Sequence, residues 1–383
     1  MKALHSSRHH PLTASLHHPV PSPYQSWIHK LKFALLALLS ACLVVACGNP
    51  TPPANVNAAR SPAGECQVIQ HELGETTVCG TPKKIVALGL NPLDVLLSLD
   101  VQPAGFADVI QLHRGEFDNP SQQIPYLGEY VTSKPANIGS SRQPSFEALA
   151  QLQPDLILAM YGPANNDQYE KLSQIAPTLF LPSLSLRDWQ ESIQMVAKAI
   201  DREQKAKAVI ETYEQQLADA RSDLAPVVAE HPKILLLAAT KLDKIALFDE
   251  AEYSGGLLKE LGFEVLTIPE LKGEDRTRRT NVSLEAIAQL NPDTIIVQGY
   301  NLDLKKLIAH KIGLNLGKKG GKLGLHQVSH VQTAWKESAL AQSMEASKRD
   351  RVYFVPYYLW NGLRGPISTE LILEDVRQKL LPN

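Results

Sequence analysis

Short apolar runs alternate with segments of helical spacing along most of the chain. "KIVALG" (84–89) reads as a buried strand, "NPLDVLLSLD" (91–100) as an amphipathic helix and "PAGFAD" (103–108) as a second strand. "PSFEALAQLQPDLILAM" (144–160) predicts a helix over 145–153, a Pro-Asp turn and a strand at 156–160, and "QYEKLSQIAPTLFLP" (168–182) repeats the unit. Strands separated by helices imply a parallel sheet covered on both faces. Residues 187–224 then run without Gly or Pro, with Ile193, Val196, Ile200, Ile210, Tyr213, Leu217 and Leu224 at helical spacing. They predict one helix much longer than usual, with a break near Asp201. Alternation resumes with a strand in "HPKILLLAAT" (231–240) and a helix followed by a strand in "SGGLLKELGFEVL" (254–266).

"SLEAIAQLNPDTIIVQGYN" (283–301) matches "SFEALAQLQPDLILAMYGP" (145–163) nearly position for position, 138 residues apart. A repeat of this size implies two similar lobes joined by the long helix; a common α/β building block used twice is the plainer alternative. Glu147 and Glu285 follow Ser145 and Ser283 in the first turn and read as helix capping, not catalysis.

The N-terminus has a different pattern. The apolar run Leu31–Ala46 spans 16 residues and contains Lys32 and Ser40, short of the roughly 20 a membrane-spanning helix needs. Lys30 and Lys32 at its front and Val-Val-Ala-Cys-Gly (44–48) at its end have the layout of a secretory signal. That ending resembles a bacterial lipobox, so Cys47 is expected to become a lipid-modified N-terminus; an ordinary cleaved signal with a stray cysteine is the alternative. Residues 1–29 carry six scattered histidines and would be removed with the signal. Residues 48–64, rich in Pro, Asn and Ala, read as a flexible tether.

The chain of 383 residues has a formal net charge of −2. Cleavage before Cys47 would remove Lys2, Arg8, Lys30 and Lys32 and no acidic residue, leaving −6. This does not point to nucleic acid or to an anionic membrane surface. Of four cysteines, Cys42 leaves with the signal. Cys66 and Cys79 bound "CQVIQHELGETTVC", which reads as a hairpin with Gly74 in its turn and both thiols at its open end. They are expected to form a structural disulfide in an oxidising compartment. No Gly-x-Ser-x-Gly, His-Glu-x-x-His or Ser-x-x-Lys set marks an exported enzyme. The later histidines show no ligand spacing, and the glycines around Gly324 argue against a helix carrying His326 and His330.

Four stretches together, "TPKKIVALGLNPLDVLLSLDVQPAGFAD", "IGSSRQPSFEALAQLQPDLILA", "SLEAIAQLNPDTIIV" and "DRVYFVPYYLWNGLRGPISTELILEDV", resemble the periplasmic substrate-binding lipoproteins of iron-siderophore ABC transporters, whose relatives include ferric-citrate, ferrichrome, haem and cobalamin binders. The resemblance implies an α/β fold of two Rossmann-like lobes with parallel sheets, joined by a single long bridging helix, with the ligand in the cleft between them. The expected divisions are a signal peptide (1–46), a tether (47–64), a first lobe with the hairpin (65–186), the bridging helix (187–224) and a second lobe (225–383). The implied ligand is a ferric-siderophore complex, passed to the permease of an inner-membrane importer. No catalysis, resident cofactor, protein-bound metal or nucleic acid is expected, and the membrane is contacted only through the lipid. A haem or cobalamin carrier is the alternative within this fold, and a lipid-anchored exported enzyme the alternative outside it.

In such lobes the ligand lies beyond the carboxyl ends of the strands. This selects Tyr161, Tyr300 with Asn301, and the group Tyr357, Tyr358, Trp360 and Arg364 after "VYFVP". Arg142 in "IGSSRQP" and Arg276, Arg278 and Arg279 in "GEDRTRRTNV" add cations. Arginine suits an anionic chelate, because its planar fork pairs with carboxylate or chelate oxygens and stays charged. Arg364, which opens the last helix in "RGP", leads the set, followed by Trp360. In a haem carrier Tyr161 or Tyr300 would be the axial ligand. The resemblance also implies permease docking through one surface carboxylate per lobe, here Glu170 and Asp303. Residues 304–334 are longer and more basic than the family pattern and are expected to be a solvated insertion; Lys318, Lys319 or His330 reaching the cleft is the sharper alternative.

Overall fold

The computed structural model describes residues 65–160, 166–182, 185–268, 281–301 and 321–382. The signal, Cys47 and the tether lie outside these residues. Cys66–His71 (β1) and Gly74–Cys79 (β2) form the expected hairpin, with Glu72 and Leu73 as its turn, Gly74 at φ 128° opening β2 opposite His71, and Cys66 opposite Cys79. The two cysteines are disulfide-bonded.

In the first lobe, the chain is returned after each strand to the same end of the sheet by a helix or crossover, which makes the strands pair in parallel. These are Ile85–Leu88 (β3), Gly105–Asp108 (β4), Ala136–Ser140 (β5), Leu156–Met160 (β7) and Thr178–Leu181 (β8), with the two-residue Gln143–Pro144 (β6) antiparallel to β5. The strand order is β6-β5-β4-β3-β7-β8. Leu90–Ser98 (α1), Phe146–Leu152 (α2), Asn166–Ser173 (α3) and Asp188–Ala199 (α4) complete the lobe. The expectation of an amphipathic α1 is corrected, since every residue of this helix is buried, Asn91 and Asp94 included. It is covered by α4 and, from the far end of the chain, by Pro366–Leu380.

The expected bridging helix is two helices. Asp201, at φ 56°, ends α4, and Glu203–Glu230 (α5) continues for 28 residues through Pro226, a span of roughly 42 Å. The Asp201 carboxylate accepts from Gln67 Nε2 (3.2 Å) and Thr81 Oγ1 (2.6 Å), so the break also fastens the disulfide hairpin.

The second lobe contains Lys233–Lys241 (β9), Lys244–Phe248 (β10), Tyr253–Glu260 (α6), Glu264–Val265 (β11), Asn281–Val282 (β12), Leu284–Leu290 (α7), Thr294–Gly299 (β13), Gly321–Glu337 (α8), Val352–Pro356 (β14) and Pro366–Leu380 (α9). Its sheet, β12-β10-β9-β13-β14 with β11 beside β9, corrects the expectation of a purely parallel sheet. Leu242 and Asp243 alone join β9 to β10, and a connection this short permits only an antiparallel pair; β12 pairs antiparallel to β10 in turn.

The sequence repeat is a repeat of local structure. Ser145 Oγ accepts from Ala148 N (3.2 Å) and Ser283 Oγ from Ala286 N (3.3 Å), capping α2 and α7. Both helices end on a left-handed residue, Gln153 and Asn291. The aspartate of each Pro-Asp pair then ties down a neighbouring strand. Asp155 Oδ2 accepts from Lys83 N and Lys84 N (3.0 and 2.8 Å), and Asp293 Oδ2 from Lys233 N (2.9 Å).

The expectation of a solvated insertion over 304–334 is corrected where the chain is described. Residues 321–334 belong to α8, which packs on β9, β13 and β14 and buries Leu323, Gln327, Val331 and Trp335 at four-residue intervals. His326 and His330 therefore do lie on a helix, and His330 Nδ1 contacts Thr240 O (3.1 Å). Among the described residues no group of three or more His, Cys, Asp or Glu could hold a metal ion. The α9 helix leaves the second lobe and packs on α5 and α1, with Arg377 Nε 2.8 Å from Asp223 Oδ2. One cluster of buried side chains consequently runs through both lobes.

Candidate functional site

The carboxyl ends of β4 and β14 meet between the lobes. Beyond β14 the chain forms a π-helical turn, Tyr358–Leu363, and ends it with Arg364 in the left-handed conformation (φ 62°). Tyr358 Oη donates to Asp108 Oδ2 at the end of β4 (3.2 Å), and its ring stacks on Tyr126 at 6.1 Å.

Buried amides hold this turn from the second lobe. Gln327 Oε1 accepts from Tyr358 N (3.2 Å), and Asn361 Nδ2 donates to Gln298 Oε1 (2.6 Å) and Ser254 Oγ (2.9 Å). From the first lobe, Asn91 Nδ2 donates to Arg364 O (2.5 Å). Asp94 accepts from Ile367 N at one oxygen and Ser368 N at the other, both at 2.9 Å. A carboxylate of α1 thus caps α9, whose own N-cap residue, Gly365, has no side chain to do so. Gly365 is required there: a Cβ would lie 2.3 Å from Asp94 Cγ.

Burial pushes both carboxyls up, Asp94 to about 6 and Asp108 to about 6, against the opposing pull of their hydrogen bonds. Burial and the neighbouring Asp108 push the Tyr358 phenol well up. Asn91, Asp94 and Asp108 are missing from the sequence-based candidates. Their signal was present as polar residues inside otherwise apolar runs.

The sequence-based candidates separate. Arg364 stands between the lobes, half-buried, with Nε donating to Asn361 O (2.7 Å). Half-buried Tyr300 sits just past β13, its ring edge-on to Tyr357 at 4.5 Å. Arg142 is exposed in the turn between β5 and β6, its backbone N donating to Ser140 Oγ (3.3 Å).

Two candidates are corrected. Trp360 is 0% exposed, with Nε1 on Asp375 Oδ2 (2.9 Å), and acts as core under the turn. Tyr358 is 3% exposed and spends its hydroxyl on Asp108, which makes it a lobe-to-lobe contact. Glu170 is exposed on α3. Tyr161, Arg276, Arg278, Arg279, Asp303, Lys318 and Lys319 lie outside the described residues.

Residues 85–359 match the family described as "Periplasmic binding protein". The chain belongs to this family of binding proteins. Among relatives, the Fe(3+)-citrate-binding protein YfmC of Bacillus subtilis is 27% identical over 93% of this chain and 99% of its own length. The Fe(3+) dicitrate-binding periplasmic protein FecB of Escherichia coli is 26% identical over 80% and 88%. Among solved structures, Staphylococcus aureus SirA complexed with staphyloferrin B superposes with a TM-score of 0.62 at 23% identity, covering 82% of this chain and 98% of SirA. That likeness establishes the two-lobe fold. Among the described residues no helix is long and apolar enough to cross a membrane.

Proposed function

We propose that this protein binds a ferric-siderophore complex between its lobes and delivers it to the permease of an ABC importer. The observation that carries the reading is the match, over nearly its whole length, to a relative named for binding ferric citrate. The position of Arg364 where the strand ends of the two lobes meet supports it, since an anionic chelate calls for a fixed cation there. In this reading Arg364, Tyr300 and Arg142, with Tyr161 and the Arg276, Arg278 and Arg279 loop, contact the ligand. Glu170 and Asp303 dock on the permease. Cleavage after residue 46 and lipid on Cys47 anchor the protein, with residues 48–64 as tether; stable anchoring calls for more than one acyl chain.

Fluorescence titration of the purified protein tests this, using ferric citrate, ferric hydroxamates, ferric catecholates, haemin and cobalamin, with iron-free chelators as controls. The expected result is saturable quenching by one ferric class, weakened about tenfold or more by Arg364→Ala. Binding of haemin or cobalamin alone would overturn the ferric cargo and leave the fold untouched. Binding of nothing on the panel would overturn the function.

A further inference from the structure

We infer that Asn91 and Asp94, two buried residues of α1, are positioning residues for Arg364: the first lobe fixes the backbone at this residue and directly after it and so sets where its guanidinium meets the ligand. This rests on the reading of Arg364 as a ligand contact.

The geometry brackets a single residue. Before the bend, Asn361 O receives Arg364 Nε (2.7 Å). At the bend, Asn91 Nδ2 holds Arg364 O (2.5 Å). Directly after it, Gly365 lies against the Asp94 carboxyl, whose two oxygens take Ile367 N and Ser368 N at 2.9 Å each. Arg364 itself is left-handed (φ 62°), a conformation that residues other than Gly, Asn and Asp rarely adopt and that persists when the surroundings over-determine it. Asn91 and Asp94 are both 0% exposed, so neither can touch a ligand itself. They sit three apart on one face of α1, on the same side as the segment they hold.

Protonation supplies a readout that a purely structural role would not move. An ionised Asp94 accepts both N–H groups; a protonated one turns an O–H toward one of them and loses that bond. Burial pushes the Asp94 carboxyl up to about 6. The groups facing it are Ser98 on its own helix, Ser368 and the N–H of Ile367 on α9, Tyr253 on α6 and Tyr130 on the turn Gly128–Tyr130. Glu129, Glu370 and Glu374 act on that same Tyr130. None of these groups is a cation.

The test measures dissociation constants for wild type, Asp94→Asn, Asn91→Ala, Arg364→Ala and the two double variants. The probe is whichever of ferric citrate, a ferric hydroxamate and a ferric catecholate binds the wild type in the titration above. Asp94→Asn is expected to weaken binding about tenfold at pH 7.5 and to add little in the Arg364→Ala background. The wild-type advantage over Asp94→Asn should shrink toward none as pH falls from 7.5 to 5, a ratio from which the pH chemistry of the chelate cancels. Full additivity with Arg364→Ala, or a ratio independent of pH, would overturn the positioning role. Wild-type affinity in Arg364→Ala would instead overturn the reading of Arg364 as a ligand contact, and this inference with it. If Asp94→Asn fails to fold, the Asn91→Ala cycle decides by the same additivity criterion. Binding of none of the three probes overturns both readings.

Discussion

Asp94 accepts the first N–H groups of a helix that begins more than 270 residues downstream, and Asp108 accepts a phenol 250 residues away. Both are ionisable groups with no exposed surface to speak of, so each is favoured in its protonated form more strongly in the folded protein than in the unfolded chain. With folded values of about 6 against 3.8, their contribution to stability is fully present below about pH 4 and is lost as pH rises through about 6. Each carboxyl accounts for on the order of 2–3 kcal/mol across that window. Denaturant unfolding at pH 5 and pH 7 should show Asp108→Asn losing much of the acid-side gain that wild type shows. An identical pH slope in the two proteins would contradict the assignment. Neither aspartate was legible as a site residue, because the partners that give each its role lie far away along the chain.

Local periodicity made most elements readable, and the exceptions have physical causes. The Pro-Asp pairs read correctly as turns after capped helices, but their carboxylates do more, clamping β3 and β9 through backbone N–H groups. Asp155→Ala should cost about 1 kcal/mol, since the two exposed donors it leaves can turn to water, measured as a lowered denaturant midpoint; an unchanged midpoint would remove the clamp. The glycine-rich approach to α8 hid a core helix, since Gly321 and Gly324 weaken the local signal that Leu323, Gln327, Val331 and Trp335 carry at wider spacing. The helix fits there because Gly299 lacks a side chain, a Cβ placing itself 2.4 Å from Gln327 O. Gly299→Ala should therefore destabilise by about 1–3 kcal/mol, whereas a neutral result would contradict the seating of α8 on β13. The two-residue turn that makes β10 antiparallel was missed because "KLDKIALF" follows a buried strand without a glycine to mark the reversal.

At the scale of the whole molecule, the internal repeat and the long helix were enough to give two lobes, and the four family-like stretches gave their order. The way α9 returns to close on α5 and α1 was not legible. It depends on Asn91 and Asp94 as buried polar partners inside a helix that otherwise reads as apolar. This return also explains why the candidates after β14 divide as they do. The turn must bury Tyr358 and Trp360 to bring the chain back, and it leaves Arg364 at the junction. The lobes share one buried cluster at this junction.

In the proposed complex, the iron chelate sits between the lobes beside Arg364. Crystals grown with the ferric complex that binds in titration, measured on both sides of the iron absorption edge, test it most directly. One anomalous iron peak is expected between the carboxyl ends of the two sheets, with chelate oxygens facing the Arg364 guanidinium. An iron peak outside that junction, or protein side chains replacing the chelate as iron ligands, would contradict it.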